Sequence, residues 1–175
     1  METNKSLHLI TVLMFGLLSG LQVVMVIKNH FYIWSIIWLI SYILMTLAIL
    51  INRPIPAILS CIFALISPIR EMIRFMQIMS GDMWLMQSII GFNMITTLFL
   101  ITSWILLLIG FIKPHLMKVL GLAAVFFGLA YIVMDYIFHY QYTGGLAPLT
   151  IFINGLTVIG IFMIGMFYTY SKEGE

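Results

Sequence analysis

Apolar runs of about 20 residues follow one another through nearly the whole chain, parted only by short polar breaks. A run of that length is what a helix needs to cross the hydrocarbon of a bilayer, so the pattern leaves few folds open. Composition excludes the soluble alternative. Of 175 residues, 63% are hydrophobic and only 8% are Asp, Glu, Lys or Arg. Soluble domains are about 45–50% apolar and about 25% charged. A soluble fold of this size would leave roughly a third of its unfolded chain's surface in water. With a mean hydropathy of +1.15, the solvent for most of this chain is lipid.

The runs predict an all-α, polytopic membrane protein: one domain over residues 1–175, a compact bundle of six transmembrane helices. The spans fall at about 7–27, 31–51, 55–79, 86–112, 116–140 and 147–170. Between them lie Lys28-Asn29-His30, Asn52-Arg53-Pro54, Gly81-Asp82, Lys113-Pro114-His115 and the Gly144-Gly145 turn. Connections this short make successive helices antiparallel neighbours. Pro54, Pro56, Pro114 and Pro148 stand at or near helix starts, where a missing N–H costs little. Pro68 does not. It falls about halfway along the third span, where it is expected to kink or break the helix. Asp82 is placed to cap the fourth helix. The first apolar run exceeds a signal h-region and no A-x-A site follows it, so it is expected to stay as a span.

Basic residues set the expected orientation. With the N-terminus in the cytoplasm, Lys5, Arg53, Lys113, Lys118 and Lys172 fall inside, and Lys28, Arg70 and Arg74 outside. Both termini are therefore expected on the cytoplasmic side. The net charge of +2, scattered along the chain, offers nothing to nucleic acid. The single cysteine, Cys61, excludes an internal disulfide and reads as a small buried hydrophobe.

Under this topology the outer side collects most of the unusual charge. Arg70, Glu71 and Arg74 stand together in R-E-M-I-R just after Pro68, where charge is costly and tends to face a bundle interior, a watery cavity or the interface. Arg70, Arg74 and Gln77 form one helical stripe, and Glu71 lies three residues before Arg74, close enough to pair with it. That pairing would leave one guanidinium for a carboxylate or phosphate. The competing reading is an interfacial half-helix whose arginines snorkel to lipid phosphates.

Asp135 and His139 lie one turn apart on the fifth helix. Gly121, Ala124 and Gly128 continue the same face backwards, and small residues at that spacing let another helix come close. The Asp–His pair is thus expected to point toward protein, either as a proton-transfer or ligand group or as a structural hydrogen bond. Asn93, Thr96 and Thr97 on the fourth span, and Thr150, Asn154 and Thr157 on the sixth, suit either a pocket lining or bonds between helices. Gly16-x-x-x-Gly20 on the first span is a close-packing motif for a helix of this chain or of a partner. Tyr32 and Trp34 read as interface anchors. His8 and His115 belong to the inner side and only His30 and His139 to the outer, with no H-x-x-x-H or C-x-x-C-H spacing. No metal or cofactor is expected.

The leading functional expectation is a small membrane-embedded binding or transport component that holds a polar or anionic small ligand near its outer face. Arg70 and Arg74 would contact the anion, and Glu71, Asp135 and His139 would complete or gate the site. Such a chain would need partner subunits for active pumping. Two alternatives stand beside it: a non-catalytic accessory or assembly subunit of a larger membrane complex, and a membrane enzyme acting on lipid headgroups with His139 and Asp135 as general base.

Overall fold

The computed structural model describes residues 2–28, 32–79, 84–138, 140, 153, 155–157, 159–160 and 163. These residues form five long helices: α1 (Glu2–Lys28), α2 (Ile33–Leu50), α3 (Pro54–Met79), α4 (Trp84–Ile112) and α5 (Met117–Phe138). All five are long and apolar enough to cross a membrane, and they match the first five expected spans. The sixth, at 147–170, lies mostly outside the described residues, as do His30, Asp82 and the Gly144-Gly145 turn. Its described residues are helical.

Each helix packs against the next in sequence: α1 on α2, α2 on α3, α3 on α4 and α4 on α5. The turn between α2 and α3 has a clear chemical origin. Asn52 adopts φ 48°, a left-handed conformation that asparagine tolerates better than most residues. Arg53 N–H then bonds Ala48 C=O (3.1 Å), and Asn52 N–H bonds Ile49 C=O (3.3 Å). This is the Schellman arrangement, which satisfies carbonyls left over at a helix end. Between α4 and α5, Pro114 opens a 3-10 turn (Pro114–Leu116) that lets the chain reverse. α3 is continuous through Pro68, so the helix is not broken there.

The interior is built from small and polar residues as much as from large apolar ones. On α3 the buried face runs through Ala57, Ser60, Cys61, Ala64 and Pro68, a spacing that keeps small side chains toward neighbouring helices. Across the α2–α3 contact, Ser41 Oγ donates to Ser60 C=O (3.0 Å) and Ser60 Oγ donates to Ser41 C=O (2.8 Å). Gln22 Nε2 ties α1 to Ser35 C=O of α2 (3.0 Å), and Ser103 Oγ ties α4 to Ala124 C=O of α5 (2.8 Å). Phe15, Met45, Ile49, Trp104 and Leu107 fill the remaining space.

The outside is the reverse of a soluble protein's. Val119 and Leu122 are each 69% exposed and Phe126 68%, as befits side chains whose solvent is lipid. Gly121, Ala124 and Gly128 on α5 are buried. Gly16 and Gly20 on α1 are exposed, and a Cβ built at either would meet nothing within 4 Å. That motif closes no helix contact among the described residues.

Candidate functional site

A cavity of about 410 Å³ lies among all five helices. It sits at the end of the bundle where α1, α3 and α5 finish and α2 and α4 begin. Late residues of one helix and early residues of the next meet there, as alternating helix directions require. Each helix contributes through its own periodicity. On α2, Trp34, Trp38 and Tyr42 follow at intervals of four, with Ser35 beside them and Tyr32 at the rim. On α4, Asn93, Thr96, Thr97 and Leu100 occupy one face. α3 supplies Ser67, Pro68 and Glu71, and α5 supplies Tyr131 and Asp135 one turn apart. Gln22 and Met25 of α1, with Ile153 and Thr157, complete the described lining.

Several wall groups are fixed by their own bonds. Thr157 Oγ1 donates to Ile153 C=O, which leaves the Tyr42 hydroxyl to donate to Thr157 Oγ1, both at 2.8 Å. Thr96 Oγ1 donates to Phe92 C=O of its own helix (2.9 Å). Trp38 is braced by two rings, Tyr42 at 5.7 Å and the fully buried Trp104 at 6.1 Å between centroids. Aromatic contacts at these separations hold a wall in place.

Of the five residues expected to form a site, Glu71 and Asp135 line this cavity. Arg70 and Arg74 are outside its described lining, and their side chains are 43% and 63% exposed. Arg70 Nη1 donates to Glu71 Oε1 at 3.2 Å, while Arg74 Nη1 stands 3.7 Å from Glu71 Oε2. Instead of one Arg–Glu pair and a spare guanidinium, one carboxylate is shared by both arginines. Arg70 is engaged a second time, with its guanidinium carbon 4.1 Å from the Trp34 ring centroid across the α2–α3 contact. His139 lies outside the described residues. Among the described residues, no three of His, Cys, Asp and Glu are grouped to hold a metal ion.

The aromatic wall was the part hidden in the sequence. Tyr32 and Trp34 carry the signature of interface anchors, yet they belong to the same wall as Trp38, Tyr42 and Tyr131. A signal did exist, since Trp34, Trp38 and Tyr42 recur every four residues. In an all-apolar helix, that spacing marks a stripe without saying whether it meets lipid or protein.

The fold and cavity define a class: a helical bundle that has, among the described residues, five helices able to span a membrane, with an aromatic-walled chamber carrying several polar groups at one end. No family model, curated protein or solved structure matches the chain.

Proposed function

We propose that the protein is a small multi-pass membrane component that binds, and with partner subunits transports, a polar small ligand held in this cavity. The observation that carries the reading is the cavity itself, since Ser67, Asn93, Thr97, Glu71 and Asp135 gather around one space within otherwise apolar helices. Polar and ionisable groups are expensive at membrane depth, and they concentrate where a ligand or ion passes. A volume of about 410 Å³ lies within the usual range for small-molecule sites, about 300–1,000 Å³. In this proposal both termini are cytoplasmic, a sixth span closes the bundle, and the chamber opens on the outer face. Pro68 kinks α3 beside the chamber, because its ring has no N–H for the Ala64 carbonyl and crowds it.

Filling the chamber tests the proposal. Wild-type protein and Asn93→Trp, purified in mild detergent, are compared by thermal shift against small cationic, anionic and neutral polar solutes. At least one solute should stabilise the wild type and leave the variant unmoved. If every solute acts alike on both proteins, the proposal is wrong.

One observation favours the accessory-subunit reading as an addition: among the described residues, Gly16 and Gly20 leave an open, small-residue face on α1. A partner helix could approach closely there. Replacing both glycines with leucine should then abolish co-purification of a partner without unfolding the bundle.

A further inference from the structure

We infer that the ligand is an organic cation, an ammonium or related group carried on a small organic body. This rests on the ligand-binding reading above and names the class of molecule. The charged side chains in the described lining are Glu71 and Asp135, both carboxylates, and no lysine or arginine is among them. An anion placed there would meet like charge in a setting of low dielectric, where repulsion is strong. Both nearby arginines are drawn to Glu71 and offset its charge, which leaves Asp135 and the rings to draw a cation.

The rings narrow the class further. Tyr32, Trp34, Trp38, Tyr42 and Tyr131 all line the space. Aromatic faces attract cations through the ring quadrupole, and cages of such rings are a known solution for methylated ammonium groups. A small hydrated metal ion gains little from this wall, since it needs a shell of oxygens. A cation clothed in carbon gains from both the rings and the carboxylates.

The molecule also holds a cation of its own at the edge of this wall. Arg70 lies over Trp34, 4.1 Å from the centroid, and 3.2 Å from Glu71. Two lining residues thus hold a guanidinium between them. Arg70 is 43% exposed and attached by a flexible stem, so it can yield to an arriving ligand. It acts as an internal competitor at the rim.

The test uses full-length protein in detergent and equilibrium dialysis with radiolabelled choline. Tetraethylammonium, inorganic phosphate and 3,3-dimethylbutan-1-ol (the uncharged isostere of choline) serve as competitors. Choline should bind, tetraethylammonium should displace it, and the neutral isostere should compete at least about tenfold more weakly. Asp135→Asn, which preserves shape, should weaken choline by about tenfold. Arg70→Ala should tighten binding, because the competing guanidinium is gone. If the isostere competes as well as choline, or if labelled phosphate binds and Arg70→Ala abolishes that binding, the cation inference fails while the ligand site stands. If choline, tetraethylammonium, the alcohol and phosphate all fail to bind helical, monodisperse protein, the inference falls and the ligand site falls with it. Circular dichroism of each variant separates loss of binding from loss of fold.

Discussion

Ser41 and Ser60 show what single residues do in this bundle. Each hydroxyl donates to the other's carbonyl, with the two oxygens 3.1 Å apart. Both serines are buried, and water is not available to replace a lost partner. Yet polar bonds between membrane helices average only about 0.6 kcal/mol, because the unfolded chain in lipid also finds partners. Ser41→Ala and Ser60→Ala should each cost roughly 0.5–1 kcal/mol of stability in detergent. The double variant should cost less than their sum, as the two share one arrangement. A double-mutant cycle read by thermal or denaturant unfolding checks this. Glu71 is a contrasting residue. It draws two arginines in a partly exposed setting, where ion pairs contribute about 0–1 kcal/mol.

At the scale of elements, the turn between α2 and α3 gives the sharpest expectation. Asn52 holds φ 48°, and the two bonds that end α2 depend on that conformation. A β-branched residue there should cost about 1–2 kcal/mol, the usual penalty for left-handed backbone. Asn52→Gly should be neutral or slightly stabilising. Unfolding of Asn52→Val beside Asn52→Gly checks the pair. Much of this level was legible in the sequence. The Asn-Arg-Pro break marked the turn, Pro114 marked the entry to α5, and five spans were placed within a few residues of their helices. Pro68 was legible only in part. A proline in mid-run signals lost hydrogen bonding, but α3 stays helical on both sides because its neighbours hold it.

On the scale of the whole molecule, antiparallel packing and the expected orientation make one joint prediction. Cys61 is completely buried, so a membrane-impermeant maleimide should not label the folded wild-type protein. In a Cys61→Ser background, cysteines placed at Arg53 and Lys113 should label together from the cytoplasmic side, and one at Lys28 from the opposite side. Labelling of Arg53→Cys and Lys28→Cys from the same face would rule out the alternating bundle. The reverse pattern on both faces would leave the bundle intact and turn the cavity toward the cytoplasm.

The amino-acid sequence by itself determined the class, the number of long apolar runs, and most helix ends. Hydropathy adds up residue by residue, and turn chemistry is local, so both can be read along a line. It also singled out Glu71 and Asp135, because charge inside an apolar run is conspicuous wherever the helix points. The faces were another matter. Lipid is as apolar as a protein core, so a leucine gains little by turning inward, and the periodicity that betrays a soluble helix fades. Only the tertiary structure decided that Trp34, Trp38, Tyr42 and Tyr131 share a wall with those carboxylates. It also left Gly16 and Gly20 without a close neighbour among the described residues, and set Arg70 against Trp34 and Glu71. Those outcomes depend on how helices pack side by side, and in a bilayer that packing is set by shape and by a few polar bonds.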